Sequence, residues 1–326
     1  RPGGPYRWRP LAYLAYSRAG DGDAVETARL LLAAGADPDE GYLWHGLPIP
    51  FTLLTGVFGE GELGPVRQPR HPDSLVLARA LLDAGADAND AQALYNRMFG
   101  ADNDHLTLLF EYGLGRGDWG VWRRRLGPDV VGPPADLLGA QLRWAIEHGQ
   151  LARVRLLTEQ GVDAVSPPGR TPLGLALVSG EGEVADYLRS RGAVDAGLDP
   201  VDELVAAALA GDRAAVRRLG PSIVEDARRA RPGLMVWAAA RGRPDGVALL
   251  AELGFDVNAY GRRDAPVEEP WETALHAAAL DGHDDLVRLL LGLGADRSLR
   301  DVRFGATPAD WARHQGHPGT AALIEA

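Results

Sequence analysis

TALHAAALDGHDDLVRLLLGLGAD, from Thr273 to Asp296, is the stretch that decides the fold of this chain. Its apolar residues recur with the period of an α-helix in two short runs, one before Asp281-Gly282 and one after it. Gly282 and Gly294 bracket the second run, and a glycine that ends a helix is typical of a residue with positive φ. The stretch therefore predicts two short helices joined by a tight turn.

The twelve-residue spacing of these two glycines recurs along the chain. The glycines that open successive segments are 31, 31, 31, 40 and 34 residues apart, and they are Gly149, Gly180, Gly211, Gly242, Gly282 and Gly316. One helix pair cannot bury its apolar face alone, so a repeat of this length predicts pairs that stack on their neighbours.

Several motifs resemble a known repeat family. Thr273-Ala274-Leu275-His276, followed by Ala278-Ala279, resembles the Thr-Pro-Leu-His-x-Ala-Ala signature of ankyrin repeats. Thr171-Pro172-Leu173 and Thr307-Pro308 resemble its opening, and Gly-Ala-Asp at 35–37, 85–87 and 294–296 resembles its close. The resemblance implies antiparallel helix pairs with loops projecting at right angles. It also implies a concave surface that usually binds another protein.

We therefore predict an all-α, ankyrin-like solenoid of about nine helix-turn-helix repeats with projecting loops. The predicted units are 9–38, 48–88, 90–116, 134–164, 169–196, 200–231, 232–260, 272–301 and 304–325. An irregular N-terminal block, 9–116, carries an insertion at 41–73, and a connector spans 117–133. The C-terminal block, 134–325, ends in a cap repeat. We expect a bacterial type of ankyrin-repeat protein.

The composition excludes several kinds of chemistry. The chain has 326 residues, 46% of them hydrophobic, and no cysteine, which excludes disulfides and thiolate chemistry. All 34 basic residues are arginine, so a Schiff-base lysine and a phosphate-loop lysine are excluded. A net charge of −11 predicts no nucleic-acid partner, and the lack of a long apolar run predicts no membrane span. The lack of cysteine and of an apolar leader segment predicts a cytoplasmic protein.

The repeat pattern breaks over residues 41–73 and again over 90–113. Long irregular segments inside compact proteins tend to be functional. Arg97 and Met98 occupy positions where the regular repeats have alanine, which predicts a helix held off its neighbour or shifted in register. The candidate binding residues of this region are Tyr42, Trp44, His45, Phe51, Glu60, Glu62, Arg67, Arg70, His71, Tyr95, Asn96, Arg97 and His105.

A second set of aromatic residues falls at the variable position of the first helices: Tyr13, Trp144, Trp237 and Trp311. These side chains either form an aromatic strip on the concave face, of the kind that anchors a partner, or pack against the next repeat. We include Trp144 and Trp237 among the candidate binding residues.

We expect a protein- or peptide-binding module that uses its concave face and loops, with no metal and no cofactor. GEGELG at 59–64 matches a dinucleotide fingerprint, but no strand precedes it and its glutamates would repel a pyrophosphate. The alternative is a small-molecule or catalytic pocket within 42–105. Proton transfer there would pair Glu60 or Glu62 with His45 or His71, or Asp104 with His105. A polar loop held by arginine–carboxylate pairs would explain the same residues, so whether the chain is an enzyme stays open, with a non-enzymatic role favoured.

Overall fold

The computed structural model describes residues 2–18, 23–62, 64–117, 120–163, 170–194, 197–264 and 269–326. Small parts of the predicted connector (118–119) and of the fourth and fifth units (164–169 and 195–196) lie outside these ranges. The described residues are mostly helical and divide into two compact units, residues 1–145 with 150–165 and residues 146–149 with 166–326. None of the described helices is long and apolar enough to cross a membrane.

The first unit stacks its helices in two rows. Helix α3 packs between α1 and α6, and α5 packs between α2 and α7. The helices of this unit are α1 (Pro10–Tyr16), α2 (Ala24–Ala33), α3 (Leu53–Phe58), α4 (Gly64–Arg67), α5 (Ser74–Asp83), α6 (Ala91–Met98), α7 (Asp104–Glu111), α8 (Val121–Leu126), α9 (Pro134–Glu147) and α10 (Leu151–Glu159).

The second unit also has its helices in two rows. Helices α16, α18 and α20 pack side by side in one row, and α17, α19 and α21 form the row behind them. The helices of this unit are α11 (Pro172–Val178), α12 (Gly182–Ser190), α13 (Pro200–Leu209), α14 (Arg213–Leu219), α15 (Pro221–Ala230), α16 (Leu234–Ala240), α17 (Pro244–Glu252), α18 (Ala274–Leu280), α19 (Asp284–Gly292), α20 (Pro308–His314) and α21 (Pro318–Glu325).

Local sequence explains where these helices begin. Thr171 caps α11 by accepting a hydrogen bond from the Gly174 backbone N–H, with proline at the first helical position. Thr307 caps α20 in the same way, and Asp310 completes a reciprocal capping box with it. In α18 the partner of Thr273 is His276, whose other ring nitrogen lies 3.1 Å from the Ala306 carbonyl oxygen. His276 is therefore a structural residue that joins two successive helix pairs.

Glycine and alanine shape the turns and the close contacts, as the sequence predicts. The glycines of the three Gly-Ala-Asp motifs, Gly35, Gly85 and Gly294, have φ values of +87°, +97° and +92°. A side chain with a Cβ atom is strained in this conformation. The alanine pair Ala278-Ala279 is fully buried in α18, and its small side chains leave room for the neighbouring helices of the row.

Two short strand pairs depart from a purely helical chain. In the 41–73 insertion, β1 (Gly41–Leu43) pairs antiparallel with β2 (Pro50–Thr52), and a single 3₁₀ turn (Trp44–Gly46) lies between them. In the second unit, β3 (Tyr260–Gly261) pairs antiparallel with β4 (Glu272–Thr273). The described residues of the predicted irregular insertion, 41–62 and 64–73, thus form a hairpin followed by α3 and α4.

Candidate functional site

The region 42–105 contains two distinct features, of which the first is an ion network around Arg97. The Arg97 side chain lies on α6 and is fully buried. Its Nη1 atom lies 2.6 Å from Glu60 Oε2, and its Nη2 atom lies 2.5 Å from Asp102 Oδ2. The sequence predicted that a bulky residue at position 97 would disturb helix packing. In the structure α6 packs against α3, and the buried charge is neutralised by these two carboxylates.

Asp104 and His105 extend this network at the start of α7. Arg70 Nη2 lies 2.5 Å from Asp104 Oδ2. Burial raises the pKa of Asp104, but hydrogen bonds and the Arg70 charge lower it by more, so this pKa lies well below the usual range. Burial lowers the pKa of His105 to about 4, and the charges of Arg97 and Arg153 add to this effect. His105 is therefore a neutral side chain near pH 7.

Arg153, from α10, contacts the segment that follows α6. Its guanidinium is fully buried and donates to the backbone carbonyls of Met98, Gly100 and Asp102 at 2.7–2.8 Å. It also donates to the Asn103 side-chain oxygen. Two buried arginines thus hold the loop that joins α6 to α7.

The network is not arranged for a metal or for catalysis. One ligand atom each of Asp102, Asp104 and His105 lie within 4.8 Å of one another, a spacing that a metal ion could use. However, Arg97 and Arg70 already contact both carboxylates, and two guanidinium charges at that position oppose a further cation. His105 is fully buried, so a substrate does not reach its ring in this structure. The arrangement favours a structural role.

The second feature is the hairpin formed by residues 41–52, which we call the finger. Tyr42 and Phe51 are cross-strand partners whose rings stack at 5.7 Å. Trp8 stacks on Tyr42 at 4.9 Å, and Trp44 continues the row beyond Phe51 at 5.3 Å. This row of aromatic rings stiffens the finger along its length.

Buried polar contacts fix the base of the finger. Thr52 ends β2 and caps α3, and the hydroxyl groups of Thr52 and Thr55 donate to the Asp90 carboxylate. Asp90 also accepts the Ala93 N–H at 2.9 Å and so caps α6. Burial raises the pKa of Asp90 above its ordinary value. The Asp90 carboxylate therefore ties the finger to two helices of the first unit.

The tip of the finger carries exposed apolar side chains. Trp44 is 42% exposed and Leu47 is 50% exposed, and Leu43 and Ile49 beside them are also exposed. The His45 ring stands edge-on to Trp44. The backbone φ of His45 is 47°, a conformation that residues other than glycine rarely adopt. A group of apolar side chains on a stiff projection, outside any core, is typical of a protein-binding surface.

The remaining candidate residues of the first unit are spread between core and surface. His71 and Asn96 are buried and hydrogen-bonded within their own segments, to the Asp73 N–H and the Gln92 side chain. Tyr95 is exposed and donates its hydroxyl to Glu62; partial burial and then this hydrogen bond raise the pKa of Tyr95 to about 12. Arg67 is exposed on α4, and Trp144 is half-buried with its ring edge-on to Phe99.

Trp237 is a packing residue in this structure. This corrects its inclusion among the candidate binding residues of a concave aromatic strip. Its side chain is 2% exposed, and its indole N–H donates to the Ser179 carbonyl oxygen at 3.2 Å. The Arg241 guanidinium covers the ring at 4.0 Å. The alternative that this position packs against its neighbours is the one that the structure favours.

Sequence reasoning missed Arg153 and the aliphatic tip of the finger. Arg153 is at the helical spacing of the buried residues Val154 and Leu157, so its position on the apolar face of α10 was visible in the sequence. Leu43, Leu47 and Ile49 gave no such signal, because apolar residues in a sequence predict burial rather than exposure.

Residues 271–302, which include β4, α18 and α19, match the family model described as "Ankyrin repeat". This range contains the whole of the stretch Thr273 to Asp296 that carries the resemblance in the sequence.

Three curated proteins are similar to parts of the chain. Palmitoyltransferase Hip14 of Drosophila melanogaster is 36% identical over 92 residues, which is 28% of this chain and 13% of that protein. Protein PhlB of Serratia liquefaciens is 37% identical over 75 residues, or 23% of this chain and 30% of that protein. The ankyrin repeat domain-containing protein SOWAHD of Mus musculus is 39% identical over 84 residues, or 24% of this chain and 23% of that protein. The matched part of this chain thus spans less than a third of each relative.

Proposed function

We propose that this chain, which carries an ankyrin repeat, is a protein- or peptide-binding module whose contact surface includes the finger, residues 41–52. Ankyrin repeats generally mediate protein–protein interaction. The observation that carries the proposal is the exposed apolar tip formed by Leu43, Trp44, Leu47 and Ile49 on an otherwise fixed hairpin. Exposed apolar groups at a rigid tip lose little conformational entropy on binding, so their burial contributes efficiently to affinity.

The wider architecture of the proposal is a solenoid of about nine helix pairs, with the finger as one of its projecting loops. The stacked rows of helices within each unit support this arrangement. We further propose a bacterial, cytoplasmic protein of this kind, for which the cysteine-free, lysine-free composition is the supporting observation.

A small-molecule pocket within 42–105 has less support. A cavity at the base of the finger, beside Thr52, Asp90 and Trp122, has a volume of about 30 Å³, which holds a water molecule rather than a metabolite. Such a pocket would be expected to enclose Trp44, Tyr95 and Arg97 together. Trp44 and Tyr95 are each 42% exposed, whereas Arg97 is fully buried in its ion network, which argues against one shared space.

The test places a photo-crosslinking phenylalanine analogue at Leu47 and identifies the proteins that it captures in a cell lysate. Affinity for the captured partner is then measured for the wild type and for the variants Trp44→Ala and Leu47→Ser. Each variant should bind at least about 30-fold more weakly, the size of a binding hot spot. Val66→Ser is the matched control, because Val66 is 93% exposed but lies outside the finger. Unchanged affinity in both finger variants would show that the contact surface is elsewhere.

A further inference from the structure

A large cavity lies in the second unit, between the β3–β4 strand pair and α20. Its volume is about 610 Å³, enough for a small molecule or for one long side chain of a peptide. Trp271, Phe304 and Trp311 contribute aromatic surface to its lining, and Glu272 lies among them. None of these residues belongs to the finger or to the Arg97 network.

Glu272 is the unusual member of this lining. Its side chain is 2% exposed, and its Oε1 atom accepts the Arg263 N–H at 2.7 Å. No hydrogen-bond or ion-pair partner of its Oε2 atom occurs among the residues that the structure describes. Burial raises the pKa of Glu272 to about 7, with Asp264 raising it further and the nearby arginines Arg263 and Arg262 opposing the shift. A buried carboxyl group with one unused oxygen thus lines the cavity.

The other charged groups of the lining have partners of their own. Asp301 accepts three backbone N–H groups and the Trp311 indole N–H, and Asp310 accepts the Thr307 N–H and hydroxyl in the capping box of α20. Arg263 forms a bidentate pair with Asp281. Arg303 places its guanidinium over the Trp271 ring at 4.0 Å. Among the lining residues that the structure describes, Glu272 is therefore the carboxylate with an unused oxygen for a ligand.

The charged groups around the cavity indicate the sign of the charge that its ligand carries. Among the described residues, four carboxylates line it, those of Asp264, Glu272, Asp301 and Asp310. Three guanidinium groups oppose them: Arg263 and Arg303 in the lining, and Arg262, which pairs with Asp264. His314 also lines the cavity. Arg262 and Arg303 already cover the Trp271 ring at 3.8 and 4.0 Å, so the attraction for a further cation comes from the unused Glu272 oxygen and from the remaining aromatic surface.

We propose that this cavity binds an organic cation, an ammonium or guanidinium group on an aliphatic stem, with Glu272 as its counter-ion. The aliphatic stem lies against the aromatic surface of Phe304 and Trp311. The cation comes either from a free amine or from a lysine or arginine side chain of a peptide. The proposal does not depend on the finger, which belongs to the other unit.

The test is calorimetry of the full chain with four probes: n-butylamine, n-butylguanidine, and blocked glycine pentapeptides with one central lysine or arginine. Butanol and a norleucine pentapeptide are the uncharged controls. We expect the charged probes alone to bind, about tenfold more tightly at pH 8 than at pH 6, because Glu272 must ionise to pair with them. Titrations at pH 6.5 in buffers of different ionisation enthalpy should show that binding releases protons.

Three variants identify the group that releases the proton. Glu272→Gln retains an acceptor for the Arg263 N–H, and it should lose the proton release and at least tenfold in affinity. Glu269→Gln is the matched control and should bind as the wild type does, because Glu269 pairs with Arg262 and is half-exposed. His314→Gln should leave the proton release unchanged. Binding by free amines alone or by peptides alone would identify the source of the cation. No binding by any charged probe, or equal proton release by Glu272→Gln, would overturn the proposal.

Discussion

At the scale of single residues, the most informative position is Arg97. Arg97 occupies a position where the regular repeats have alanine, and two carboxylates neutralise its buried guanidinium. We expect Arg97→Ala to lower the free energy of unfolding by about 3 kcal/mol, since removing one partner of a buried ion pair leaves the others uncompensated. Urea denaturation followed by circular dichroism measures this loss.

The control for Arg97 is Arg288→Ala, which removes an exposed pair with Asp285 on α19. Exposed pairs of this kind contribute little because water and salt screen them. If the two variants lost equal stability, the Arg97 network would not be the buried anchor that its contacts indicate.

His105 predicts a second effect at this scale, a dependence of stability on pH. Its pKa is about 4 in the folded chain and about 6.5 in an unfolded one, so its contribution to stability is complete above pH 6.5 and is lost as the pH falls towards 4. His105→Leu should therefore lose less stability than the wild type between pH 7 and pH 4.5, measured by urea denaturation. The exposed His45 provides the comparison, since His45→Gln should follow the wild-type pH profile.

At the scale of helices and turns, two glycines that look equivalent in the sequence have different surroundings. Gly282 and Gly294 both have positive φ, +65° and +92°. A Cβ atom at Gly282 would lie 2.7 Å from the His317 ring, whereas one at Gly294 would meet nothing within 4 Å. Each alanine substitution should cost about 1–3 kcal/mol through backbone strain, with Gly282→Ala the more damaging.

Hydrogen exchange distinguishes these two variants. Because His317 is the N-cap residue of α21, we expect faster amide exchange over 318–325 in Gly282→Ala than in Gly294→Ala. Equal exchange in both variants would mean that the contact between the turn and His317 does not hold the last helix in place.

At the scale of the whole molecule, the net charge of −11 makes one prediction. Without a net positive charge, the chain should not displace the counterions of a nucleic acid. In a gel-shift assay at about 50 mM salt, we therefore expect no retardation of duplex DNA or RNA. A salt-sensitive shift at micromolar protein would contradict the expected absence of a nucleic-acid partner.

The sequence by itself determined the helix pairs, their caps and their glycine turns, and it identified the resemblance that the match over 271–302 supports. These features depend on local periodicity and on the backbone preferences of single residues, so neighbouring positions carry them.

Only the tertiary structure decided which candidate side chains are buried and which are exposed. Arg97 meets Glu60 across 37 positions of sequence, and Trp237 meets Ser179 across 58. Both side chains are removed from the surface by contacts between distant segments, which no local pattern encodes. Trp44, an equally plausible candidate in the sequence, stays exposed because the finger projects beyond the core on which its base is fixed. Exposure is set by the packing of the whole unit, and the residues available to a partner follow from it.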